Sequence, residues 1–227
     1  MTTTRSVRDD VKNVLNYLVE ADLAVYVNEV SVGTTRVSWH AHDPAAGFLT
    51  RRDHATLDQY LQWVIAGAYS AILFDGSLLQ ITYDIGSGQV IGHRLAYIPC
   101  PFVLDTDLLR EGEPLADIVE MYRDAQSQDM ALRSPVRFDY DPAAAKAGHP
   151  AVHMTLNSAD CRVACAAPMH VLRFADFIFR NFYPALHTAH RDFFADAATR
   201  HLGSRVLADD DCVHPHLMWR QDTRATG

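Results

Sequence analysis

Between Leu132 and Pro184 the chain gathers the side chains best suited to chemistry: Arg133, Arg137, Asp139, His153, Thr155 and Arg162, with Arg94 supplied from further back. Arginine forks hold a phosphate or carboxylate bidentately, and a histidine among them can move a proton near neutral pH. The expected division of labour follows from those chemistries. His153 is the acid/base, Asp139 the carboxylate that orients it, and Arg133, Arg137, Arg162, Thr155 and Arg94 the groups that clamp an anion. Side chains alternate along a strand, so Arg137 and Asp139 share a face opposite Val136, Phe138 and Tyr140. Pairing Ala151 to Asn157 with Cys161 to Ala166 through a Ser158-Ala159 turn sets Thr155 opposite Arg162, with His153 and Asn157 on the same side. The alternative for these residues is a solvated sheet face carrying Arg–Asp pairs.

Other chemistries fit less well. His149 and His153 are four apart, but Pro150 holds His149 extended, and four residues of strand span about 13 Å. That is too far for one ion unless the chain bends sharply. Cys161 and Cys165 have the same spacing and fall beside Val152, Met154, Leu156 and Val163, which makes them buried, reduced core thiols. His187 and His190, and His214 and His216, read as surface histidines. The aromatic run FADFIFRNFY reads as core packing rather than a base-stacking platform. No nucleophile-elbow, Walker or Rossmann pattern occurs. The expectation is therefore no metal and no cofactor.

The elements that must position these residues are visible in the patterning. Ser6 to Leu23 carries a helical stripe of Val7, Val11, Val14, Leu15, Leu18 and Val19, with Asp9 and Asp10 in its first turn. Ala24 to Val32 and Thr35 to Ala41 read as a hairpin around Gly33, Asp43 to Asp53 as a loop, and Thr56 to Ala66 as a second helix. Tyr69 to Phe74, Leu78 to Ile85 and Gln89 to Ile98 form a meander. Its first turn reads as a two-residue Asp75-Gly76 hairpin, its second as Gly86-Ser87-Gly88. That pairing places Ile72, Leu79, Ile81, Tyr83, Ile91, Leu95 and Tyr97 on one face, with Gln80, Thr82, Asp84 and Arg94 on the other. Helices are expected over Pro114 to Ala125, Met169 to Tyr183 and Ala185 to Leu202, and Pro99-Cys100-Pro101 ends the meander. Phe174, Ile178 and Phe182 bury the central one of these helices, which is apolar almost all round.

Strands followed by helices, joined by short hairpins, give an α+β fold: a mainly antiparallel sheet covered on one face by helices. Its 227 residues, 48% hydrophobic and 21% charged, make one domain spanning residues 1–227. Within it, residues 1–55 are separable as an appendage and residues 203–227 as a tail. Met1 is followed by TTTRSVRDD, which has no apolar core, and no run reaches the ~20 residues of a bilayer span, so no membrane association is expected. Four unevenly spaced cysteines suit a reducing, cytoplasmic compartment. A formal charge of -8 argues against a general nucleic-acid binder and leaves room for a local basic face. The sequence assigns no oligomeric state.

Five segments, GHRLAYIPCPF (Gly92 to Phe102), RSPVRFDYDP (Arg133 to Pro142), HPAVHMTLN (His149 to Asn157), DCRVAC (Asp160 to Cys165) and FIFRNFYP (Phe177 to Pro184), together resemble the uncharacterised bacterial family called domain of unknown function 2290. The resemblance covers most of Leu78 to Pro184. It implies a prokaryotic, cytoplasmic origin and brings no activity with it. A tyrosine-aspartate strand ahead of a histidine-rich strand is also similar to the order in small toxin-type nucleases, an analogy of pattern only. The expected function is action on, or binding of, nucleic acid through the Arg/His face, as a toxin or phage-defence component. The alternative is a non-catalytic subunit that binds a protein encoded nearby through an apolar helix or sheet edge.

Overall fold

The computed structural model describes residues 1–40, 48–49, 56–125, 130, 133–156 and 160–219. The chain runs α1 (Thr4–Glu20), β1 (Ala24–Val27), β2 (Val30–Val32), β3 (Arg36–Trp39), α2 (Leu57–Ile65), β4 (Ala71–Leu73), β5 (Leu78–Gly86), β6 (Gln89–Ile98), α3 (Thr106–Arg110) and α4 (Leu115–Asp124). It continues through β7 (Val136–Tyr140), β8 (Val152–Leu156), β9 (Arg162–Ala164), α5 (Val171–Phe182), α6 (Pro184–Ala189), α7 (Arg191–Phe194) and α8 (Asp209–Cys212). The strands form one antiparallel sheet in the order β1-β4-β5-β6-β7-β8-β9, and the β2–β3 hairpin joins the β5 edge beyond β4. This is the expected α+β architecture. No helix among the described residues is long and apolar enough to cross a membrane.

One face of the sheet is covered by α1 and α5. Leu79, Ile81, Tyr83, Leu95, Tyr97, Val136, Phe138 and Met154 pack there against Val11, Leu15 and Leu18 of α1 and Phe174, Ile178 and Phe179 of α5. Each large side chain buried in this layer contributes roughly 1.5–3 kcal/mol. The two helices are tied at the start of α5. His170 Nδ1 accepts the Leu172 N–H at 3.1 Å, and its Nε2 lies 3.2 Å from the Asp10 carboxylate of α1. Asp10 serves this link rather than the first turn of its own helix, which begins at Thr4 with a Thr3–Ser6 capping box and no acidic residue.

The other face is divided. Over β4–β6, Ile72, Leu78, Ala96 and Ile98 carry a second, smaller core against Tyr60, Leu61 and Trp63 of α2 and Ile118 and Val119 of α4. A helical layer over part of this face is an addition to the single cover expected. Beyond Ala96, the neighbours across β7, β8 and β9 are polar, and this half holds the candidate site.

Several local expectations are corrected. The turn after β4 has three residues, Phe74-Asp75-Gly76, closed by Leu73 N–H to Ser77 O at 2.8 Å, so Ile72 pairs with Leu78 instead of Leu79 and moves to the α2 face. Ile91 is the extra residue of a β6 bulge and is exposed. Phe182 is 40% exposed at the end of an amphipathic α5, and the single helix expected after Pro184 is broken at His190 and again at Ala195. Cys165 is buried as expected, whereas Cys161 sits one residue before β9 and is exposed. Residues after 203 return to the sheet: Leu217 bridges Cys165 in parallel, and Val206 N–H bonds Ala166 O. The Ser158-Ala159 turn, Asn157 and all but residues 48–49 of the Asp43–Asp53 loop lie outside the described residues.

Candidate functional site

Register assembles the site. Arg94 of β6, Asp139 of β7, His153 of β8 and Ala164 of β9 stand in one row across the sheet. Ala96, Arg137, Thr155 and Arg162 form the next. Thr82 of β5 extends the first row and Gln80 the second. Neighbouring strands are ~4.8 Å apart, so each row brings its side chains into mutual reach without any loop having to be positioned.

At the centre is a buried carboxylate. Arg137 Nε donates to Asp139 Oδ2 at 2.6 Å, His153 Nε2 lies 3.5 Å from the same oxygen, and Arg94 Nε lies 3.7 Å from Oδ1. Arg137, Asp139 and His153 are almost completely buried, while the Arg94 side chain is half-exposed. Arg137 is further committed by a 2.7 Å hydrogen bond to the Leu49 carbonyl. Gln80 is committed as well: its Oε1 accepts the Leu49 N–H and its Nε2 donates to the Ala68 carbonyl. Both residues are bonded to the Leu49 backbone, so Gln80 is a clasp rather than part of an open polar surface.

His153 is oriented from both ends. Its Nδ1 is 2.9 Å from the Pro150 carbonyl, which can only accept, so Nδ1 carries the proton and Nε2 is the basic nitrogen. Burial pushes its pKa down, and the Arg162 and Arg137 charges act the same way, against the Asp139 carboxylate and the Pro150 carbonyl. The ring is therefore held neutral with its lone pair toward a carboxylate. Such a group takes up a proton when negative charge arrives beside it.

His149 belongs to this group, which the strand spacing alone did not suggest. Gly148 at φ +72° and the Lys146–His149 bridge bend the chain ahead of Pro150, and the His149 ring meets the His153 ring edge-on at 4.9 Å. Among the described residues, no cluster of three or more His, Cys, Asp or Glu side chains could hold a metal ion.

Arg133 is not brought in. It precedes Pro135 and the first residue of β7, and its guanidinium pairs at 3.6 Å with Asp75, which in turn accepts from the Tyr183 hydroxyl at 2.9 Å. That network packs with α5 on the opposite side of the sheet.

The site opens at the Arg94 end. A cleft of about 360 Å³ is lined by Thr35, Arg36, Thr82, Asp84, Arg94 and Asp141 among others. Arg36, which the patterning did not single out, grips Asp84 with both forks at 2.8 and 3.1 Å. A side chain at Gly92 would lie 3.3 Å from the Tyr140 carbonyl and 3.5 Å from Asp84 Oδ2, so glycine leaves room at the cleft floor. At the closed end, Thr155 faces Arg162, and neither the Thr155 hydroxyl nor Arg162 Nε has a hydrogen-bond partner among the described residues.

A family model described as Uncharacterized conserved protein (DUF2290) matches residues 21–219, and the chain belongs to that family. No curated protein and no solved structure matches it.

Proposed function

We propose that this is a prokaryotic cytoplasmic protein that binds a phosphate-bearing ligand, nucleic acid first among them, on the Arg/His half of its sheet, as a toxin or phage-defence component. The observation that carries the reading is the row Arg94–Asp139–His153, in which a half-exposed guanidinium at a cleft leads to a buried, neutral, oriented imidazole. Arg94 meets the phosphate. His153 Nε2 takes or gives the proton, and Asp139 holds the ring and receives the imidazolium that forms. Arg137 donates to Asp139 at 2.6 Å and compensates its charge within the sheet.

The test is retention and cleavage of short RNA and DNA at low salt, since each phosphate contact steepens the salt dependence of binding. Retention that weakens with salt and disappears in Arg94→Ala supports the reading. Purified protein that neither retains nor cleaves either polymer removes it.

A second reading rests on a different place. Strand β1 is the sheet's terminal strand, and beside it lie grooves of about 380 and 490 Å³ whose walls include Val25, exposed Tyr26 and exposed Ile65. An interaction subunit that adds a partner's strand at this edge would use them. A partner gene constantly adjacent favours the subunit; a small antitoxin-like neighbour favours the nucleic-acid reading.

A further inference from the structure

Thr155 and Arg162 face each other directly across β8 and β9, and both present a buried donor with nothing to donate to: the Thr155 hydroxyl and Arg162 Nε lack any hydrogen-bond partner among the described residues. Thr155 is only 7% exposed, and the Arg162 side chain 15%. A buried donor left unpaired costs about 1–3 kcal/mol, so two adjacent ones mark a place where an acceptor belongs. Two guanidinium groups, those of Arg137 and Arg162, border this place, and their carboxylates lie to one side of it. Arg137 next to Thr155 is cationic, and its carboxylate, Asp139, lies in the neighbouring row toward Arg94. Asp160 pairs with Arg162 Nη1 at 3.6 Å from the solvent side, which leaves Nε facing inward.

Burial decides what kind of anion fits. An internal phosphodiester has two substituents and needs two ways out, whereas a phosphomonoester has one. With Arg137, Asp139, His153 and Thr155 each less than a tenth exposed, no strand of nucleic acid can run along the face. We infer that Thr155 and Arg162 form a subsite for a terminal phosphate, so that the ligand is a phosphorylated nucleotide or strand end rather than the interior of a polymer. This inference rests on the anion-binding reading above and narrows it to one ligand class.

Calorimetric titration with three dinucleotides tests it: one with a 5′-phosphate, one with a 3′-phosphate, and one with neither and hence only its internal phosphodiester. In the wild-type protein one phosphorylated form should bind at least roughly tenfold more tightly than the unphosphorylated form, the scale of a hydrogen bond to a charged group. Thr155→Val changes no charge and removes only the hydroxyl. It should abolish most of that preference while leaving thermal stability equal or higher, an outcome that simple charge attraction would not give. Arg162→Gln should act likewise, and Arg133→Ala, on the other face, should keep the full preference. Equal binding of all three dinucleotides, or a preference untouched by Thr155→Val, overturns the terminal-phosphate subsite while the broader anion reading stands. Binding of none overturns both.

Discussion

His153 and Asp139 stand directly opposite each other on β8 and β7, with Nε2 3.5 Å from Oδ2 and the other ring nitrogen bound to the Pro150 carbonyl. Since Nδ1 keeps its proton, the pair is set for one more. In the neutral ring a lone pair faces a carboxylate; after protonation the same contact becomes a charge-assisted hydrogen bond.

Arg137 and Arg94 should behave oppositely although both reach Asp139. Arg137 is buried, so Arg137→Ala leaves a buried carboxylate uncompensated and should cost about 3–5 kcal/mol. Arg94 is half-exposed, and Arg94→Ala should change stability by less than ~0.5 kcal/mol while removing ligand binding. Urea denaturation of both variants checks this, and equal losses would mean that Arg94 is structural.

His93, on the α1/α5 face, accepts the Met169 N–H at Nε2, and burial lowers its pKa to about 4. The unfolded chain therefore binds a proton there at a higher pH than the fold does. Its contribution is present above pH ~6.5 and is lost as pH falls toward about 4, a change on the order of 3 kcal/mol. An NMR titration should place the His93 midpoint near 4; a midpoint near 6.5 would mean that the ring is hydrated.

The cysteines should separate by reactivity. Cys161 is exposed, while burial pushes the Cys100 thiol up to about 11 and Cys165 up to about 12. A thiol reagent added to native protein should modify Cys161 far faster than either. Cys165→Ala should cost about 1 kcal/mol or more through lost packing, and Cys161→Ala close to nothing.

Gly76 closes the turn after β4 at φ +83°, and a Cβ there would come within 3.0 Å of Leu104, 3.2 Å of Leu115 and 3.3 Å of Cys100. Gly76→Ala should destabilise by about 1–3 kcal/mol, measurable as a lowered melting temperature. A neutral effect would contradict the three-residue turn.

What patterning reveals of this protein follows how local each determinant is. The Thr155–Arg162 pairing is legible because so few residues separate β8 from β9, and the Arg137/Asp139 alternation is legible because strands repeat every two residues. The same logic misplaces Ile72, since one extra residue in the Phe74-Asp75-Gly76 turn reverses the whole strand. Arg133 fails for a related reason: β7 starts only at Val136, so the alternation does not reach it, and Asp75 draws it to the far side. The second core of α2 and α4, the return of Leu217 to β9's neighbour Cys165, and the contact of His149 with His153 depend on chain reversals that no short window encodes.

The measurement that bears most directly on the site is the NMR titration of His153 in the absence and presence of saturating oligonucleotide carrying whichever terminal phosphate, 5′ or 3′, the protein binds more tightly. In the free protein the midpoint should lie below 6.5, because burial and the two arginines oppose the imidazolium. A phosphate bound beside the ring adds negative charge and should raise it, with the same increase in affinity on acidification that linkage requires. A midpoint that does not move when the oligonucleotide is added would contradict a ligand site at His153 and leave the row as a buried structural network.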